Sequence, residues 1–117
     1  MNVRELMEAL SAKSETYGST ECLAADITCG YTCDLLSWVM AHGQPGMAWI
    51  TVQTHVNVIA VAVLMEMACV ILPEGVALDE TALKKAQEEN LAVLMSGKTA
   101  YELSGIMAKM GVPPPSE

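Results

Sequence analysis

A chain of 117 residues with a net charge of −8 is long enough for one hydrophobic core without disulfide or metal staples. Its six basic residues, Arg4, Lys13, Lys84, Lys85, Lys98 and Lys109, are scattered, whereas nucleic-acid binding needs a concentrated basic face, so that class is excluded. The chain is 52% hydrophobic, but its longest apolar stretch, Val56 to Leu72, is broken by Asn57 and Glu66 and stopped by Pro73-Glu74-Gly75, against the roughly 20 apolar residues of a membrane span.

Arg4, Glu5 and Glu8 fall within the first eight residues, so the opening residues are not expected to act as a secretory signal. The expectation is a cytoplasmic protein whose four cysteines are thiols in reducing surroundings.

In chain order, Val3, Leu6, Met7 and Leu10 form the stripe of an amphipathic helix. Asn2 caps it and Glu5 completes a capping box. A polar stretch from Ser11 to Glu21 follows, with a possible short strand at Glu15–Tyr17 and a turn at Gly18-Ser19. A strand is expected from about Asp26 to Tyr31. Leu35, Leu36, Val39 and Met40 mark the next helix, stopped by Gly43 as a left-handed residue. Gln44-Pro45-Gly46 reads as a type II turn.

Trp49 to Gln53 reads as a strand, and Val58 to Met67 as a helix apolar on every side, with a strand as the alternative because β-branched residues are mediocre helix formers. Cys69 to Leu72 is a short buried strand. Asp79 caps a helix from Glu80 to about Glu89, with charge pairs Glu80/Lys84, Lys84/Glu88 and Lys85/Glu89 at helical spacing. Ala92 to Met95 is another strand. Leu103, Ile106, Met107 and Met110 stripe the last helix, which ends at Gly111 before three prolines.

Alternating strands and helices imply an α/β fold, a three-layer α/β/α arrangement with a mostly parallel sheet built from βα units. The expected organisation is a single domain over residues 1–112 and a disordered proline-rich tail over 113–117.

Ligands in such sheets bind beyond the carboxyl ends of the strands. The candidate binding residues there are Thr51, Gln53, Thr54, His55 and Asn57 in one cluster and Gly30, Tyr31 and Asp34 in another. A plainer use of the first cluster is that Thr54 or Asn57 caps a helix while His55 satisfies backbone groups. Gly97-Lys98-Thr99 lacks the upstream glycine of a phosphate-binding loop, since position 92 is alanine, and Thr99 with Glu102 forms a capping box instead. Cys29 and Cys33 lack the paired partners of a zinc site, so no metal is assigned. Nothing resembles a nucleophile elbow or a catalytic acidic pair.

Asp26-Ile27-Thr28-Cys29-Gly30 matches three of the five residues in the motif that names the DRTGG domain. Together with Gly30-Tyr31, Asp34-Leu35-Leu36-Ser37, Val39-Met40, Trp49 to His55, Asn57 and Ala60-Val61-Ala62, it resembles the stand-alone DRTGG proteins over essentially the whole chain. The resemblance implies a regulatory or ligand-binding module, of a type also found beside CBS domains and phosphotransacetylases. Its fold is similar to the non-catalytic N-terminal domain of HPr kinase/phosphorylase. Ile27 stands where the motif has arginine, removing a possible anion contact, and Cys29 where it has its first glycine.

The expectation is a non-catalytic sensor of a small polar or anionic metabolite at the carboxyl edge of the sheet, its ligand and any cofactor unknown. The alternative is a homodimeric interaction module without a small-molecule ligand.

Overall fold

A parallel βαβ connection is right-handed, so the direction in which successive strands are added decides which face each helix covers. In a computed structural model that describes residues 1–14 and 21–116, β2 (Cys29–Thr32), β3 (Met47–Ile50), β4 (Cys69–Leu72) and β5 (Ala92–Met95) are parallel, each beside its neighbour in sequence. A two-residue β1 (Lys13–Ser14) pairs antiparallel with β5, giving the order β1-β5-β4-β3-β2. Every crossover between parallel strands steps in one direction. Their helices α2 (Leu36–His42), α3 (Val56–Leu64) and α4 (Glu80–Glu88) therefore share one face, and α1 (Val3–Ala9) and α5 (Ala100–Lys109) cover the other.

The strand period of two divides the core between these faces. Met47, Trp49, Val70, Leu72 and Val93 meet Val39 of α2, Ile59 of α3 and Ala82 of α4. Ala48, Ile50, Cys69, Ile71 and Leu94 meet Leu6 of α1 and Leu103 of α5. Both β3 and β4 are buried at every residue, as strands covered on both faces must be. Each such valine, leucine or isoleucine contributes about 1.5–3 kcal/mol relative to exposure. Trp49 is fully buried, and its indole N–H donates to the Cys33 carbonyl at 2.8 Å, so burial leaves no polar atom stranded.

The expected capping boxes form at Asn2/Glu5 and Thr99/Glu102, and Asp79 caps α4 by accepting the Ala82 N–H at 2.8 Å. Of the three charge pairs expected on α4, Lys85–Glu89 is the salt bridge found among the described residues, at 3.0 Å. Gly46 has the positive φ of +80° that a type II turn requires, and Met47 N–H closes the turn on the Gln44 carbonyl at 3.2 Å.

Several boundaries differ from the expectation. The strand expected from Asp26 is ordered into the sheet only from Cys29, while Asp26 makes an isolated bridge to Asn2. The strand expected to reach Gln53 ends at Ile50. The Val58–Met67 segment is a helix, shifted to Val56–Leu64, and Leu64 on its outer side is 67% exposed rather than covered. Gly43 is not left-handed, with φ at −61°. Glycine is needed there for space, because a Cβ would lie 2.9 Å from Met67 Cε and 3.0 Å from the Val39 carbonyl oxygen. The possible strand at Glu15–Tyr17 and the turn at Gly18-Ser19 lie outside the described residues.

Candidate ligand-binding site

The polar residues beyond β2 and β3 are tied chiefly to one another. Asp34, just past β2, accepts two hydrogen bonds through Oδ1, from Thr51 Oγ1 at 2.8 Å and from the Val52 N–H at 2.9 Å. Gln53 Nε2 donates to the Asp34 carbonyl at 2.6 Å, and the Gln53 N–H donates to Thr51 Oγ1 at 3.2 Å. Thr51 is 1% exposed, so its hydroxyl requires this satisfaction. The knot pins the end of β3 to the exit from β2.

Thr54 belongs to a separate tie, its carbonyl accepting the Asp79 N–H at 3.3 Å ahead of α4. The cap of α3 is His55, not Thr54 or Asn57: Nδ1 accepts the Asn57 N–H at 3.2 Å. That bond requires an unprotonated Nδ1 and leaves the ring proton on Nε2. Asn57 itself is exposed in the first turn.

Gly30 and Tyr31 belong to a different feature. They line a cleft of about 370 Å3 with Thr32, Ser104 and Met107, closed on one side by Pro113, Pro114 and Pro115. The cleft follows from topology. β2 is one sheet margin, and α5 crosses back from β5, beside the other margin strand β1, to pack over β2 and β3. Gly30 permits that approach, since a Cβ there would stand 2.7 Å from Met107 Cε and 3.2 Å from Val112 Cγ1.

The proline segment, expected to be a disordered tail, lies along this margin. Pro113 accepts the Gly30 N–H at 2.9 Å. Gln44 holds Ser116 by accepting from its N–H at 3.1 Å and its hydroxyl at 3.2 Å, while Gln44 Nε2 donates to the Ser116 carbonyl. Prolines cannot donate to a ladder, so the segment shields the edge without extending the sheet.

Among the described residues, no charged side chain lines the cleft. Its polar feature is a contact between Thr32 Oγ1 and Ser104 Oγ at 2.7 Å, and Ser104 Oγ also donates to the Ala100 carbonyl at 2.7 Å. Ser104 and Met107 were not anticipated as site residues. The available signal was Ser104 itself, a half-buried hydroxyl between the core residues Leu103 and Met107.

The segment carrying the DRTGG resemblance has structural work of its own. Thr28 Oγ1 donates to the Pro45 carbonyl at 2.7 Å and its N–H donates to the Gly46 carbonyl at 2.9 Å. Ile27 packs beside the core under α1 and α5. Burial pushes the Cys69 thiol up to about 12. Among the described residues no three His, Cys, Asp or Glu side chains gather as a metal site would need, and no helix is long and apolar enough to cross a membrane.

No family model matches the sequence, and no curated protein matches it significantly. Among solved structures, the architecture is that of a DRTGG-like α/β fold. It is similar to the CBS and DRTGG domains of the regulatory region of Clostridium perfringens pyrophosphatase, complexed with the activator diadenosine tetraphosphate, with a TM-score of 0.69 and 11% identity. The match covers 96% of this chain and 47% of that one, so this chain spans about half the length of its structural relative. At that identity the likeness establishes fold, and the resemblance read from Asp26–Gly30 is supported as fold rather than as family membership.

Proposed function

We propose that this protein is a regulatory, ligand-sensing module that binds a small molecule in the cleft between β2, α5 and the proline segment. The observation that carries the reading is the joining there of apolar walls, Ile50, Met107 and Val112, with the Thr32–Ser104 hydroxyl pair. Small-molecule sites combine an apolar lining with a few placed polar groups. The structural relative, a regulatory region solved with an activator, supports the sensing role.

Of the residues expected at the carboxyl edge, Gly30 and Tyr31 would touch the ligand. Asp34, Thr51 and Gln53 would support the rim, because their polar groups already serve one another. Thr54, His55 and Asn57 would act only as structural neighbours at the start of α3. Among the described residues no nucleophile–base pair lines the cleft, which favours binding over catalysis. A thermal-shift screen of nucleotides, acyl phosphates and cofactors tests the reading. A ligand at a hundred times its Kd stabilises the fold by about 2.7 kcal/mol. A screen with no stabilising compound would count against it.

A second reading, self-association, is favoured by one surface. From Leu35 to Met65 the sequence contains no Asp, Glu, Lys or Arg. The outer sides of α2 and α3 expose Trp38 (54%), Met40 (50%) and Leu64 (67%). Two copies of a chain with net charge −8 repel least through this uncharged face. Light scattering tests it: a dimer that Trp38→Glu dissociates supports the reading, and a monomer at high concentration removes it.

A further inference from the structure

The proton count of the hydroxyl pair restricts what the cleft can recognise. A serine hydroxyl has one proton, and that of Ser104 goes to the Ala100 carbonyl, which can only accept. The bond between Thr32 and Ser104 must therefore be donated by Thr32. With its proton used, Thr32 Oγ1 faces a ligand as an acceptor.

The edge of β2 adds backbone groups. Gly30 directs its N–H outward to Pro113, and Cys33 directs its N–H inward to the Ile50 carbonyl. The strand period of two then turns the Thr32 N–H and the Gly30 carbonyl outward as well. An outward carbonyl and the N–H two residues later form an adjacent acceptor and donor. The prolines that seal this margin bring no N–H of their own to compete for the carbonyl.

We infer that the cleft accepts a neutral heteroaromatic ring presenting an amino donor beside a ring-nitrogen acceptor, a purine base of the adenine type, and that it makes no use of phosphate. This rests on the sensing role proposed above. The ring nitrogen accepts from the Thr32 N–H, the two amino protons go to Thr32 Oγ1 and to the Gly30 carbonyl, and the ring faces meet Met107 and the prolines. A phosphate gains nothing, because among the described residues no cation lines the cleft.

Amide NMR titration of the intact protein with adenosine, N6,N6-dimethyladenosine and AMP provides the test. Adenosine should shift the Thr32 and Ser104 amides saturably. The dimethyl compound, which lacks the donor, should bind about ten-fold more weakly. AMP should bind no more tightly than adenosine. Ser104→Ala releases the Thr32 proton, so it should raise affinity for inosine, whose ring carbonyl accepts, relative to adenosine. Equal binding of the dimethyl compound, AMP about ten-fold tighter than adenosine, or an unchanged inosine preference in Ser104→Ala would each overturn the inference. If adenosine fails but other compounds in a fragment library shift these amides, the ligand class is wrong and the sensing role stands. If no compound shifts them, the sensing role fails and this inference with it.

Discussion

Asp34 and Thr51 couple the exits of two neighbouring strands through one oxygen, the Asp34 Oδ1 that also holds the Val52 N–H. A charge-assisted bond to a buried hydroxyl is among the stronger polar contacts. Asp34→Ala is expected to cost about 1–3 kcal/mol, because it leaves donors short of an acceptor at a buried site. Asp34→Asn keeps an acceptor oxygen and should cost less. Urea unfolding of both variants measures the difference, and equal losses would show that the loss is not specific to the missing acceptor.

Gly46 and Gly111 separate crowding from backbone strain. Both have positive φ, +80° and +94°, but a Cβ at Gly46 would lie 2.6 Å from Thr28 Oγ1, whereas one at Gly111 would meet nothing within 4 Å. Gly111→Ala should cost about 1–2 kcal/mol for the left-handed backbone alone. Gly46→Ala adds about 1–3 kcal/mol of overpacking. Comparable melting points for the two variants would contradict the Thr28 contact.

The cysteines predict an order of reactivity and a pH response. Cys33 is partly exposed, while Cys69 is fully buried. Iodoacetamide at mildly alkaline pH should therefore modify Cys33 first and Cys69 only on unfolding. The Cys69 thiol is pushed from the ordinary 9.0 to about 12 in the folded protein. Between those values the unfolded chain gives up a proton that the folded one keeps. Its effect on stability is neutral below pH 9 and becomes increasingly unfavourable as pH rises toward 12, at up to about 1.4 kcal/mol per pH unit. Cys69→Ala should flatten that alkaline slope in pH-dependent urea unfolding.

Gln44 and Ser116 supply a test of the proline segment. Gln44→Ala removes the acceptor and the donor that hold Ser116, freeing the segment from β2. Hydrogen exchange at the Gly30 amide, now bonded to Pro113, should accelerate, while amides inside β4 stay slow. Unchanged protection at Gly30 would mean that Pro113 holds its place without the clamp.

Elements whose signal is continuous burial were legible in the sequence to the residue, as with β4 and β5. β3 was displaced because Thr51, Val52 and Gln53 keep a strand-like composition while their polar groups turn to Asp34. Gly43 reads as a helix end for its conformational freedom, but crowding by the Val39 carbonyl oxygen and by Met65 and Met67 is what favours glycine there. Such a contact across elements leaves no local trace. The cleft was only half visible. Gly30 and Tyr31 announce a strand-end loop, but Ser104 sits inside a regular helical stripe, and prolines read as the end of structure although the Pro113 carbonyl still accepts a hydrogen bond.

The strand order also sets the sequence in which the molecule should assemble. Each parallel strand joins the strand just before or after it in the chain, so every such pairing closes one helix-containing loop and the sheet can grow by short steps. Two closures break the pattern: β1 against β5, and the proline segment against β2, where Ser116 meets Gln44 across 72 positions. These margins bear a large loop-closure entropy. They should form last and open first, so the wall of the cleft belongs to the part of the fold that yields most readily.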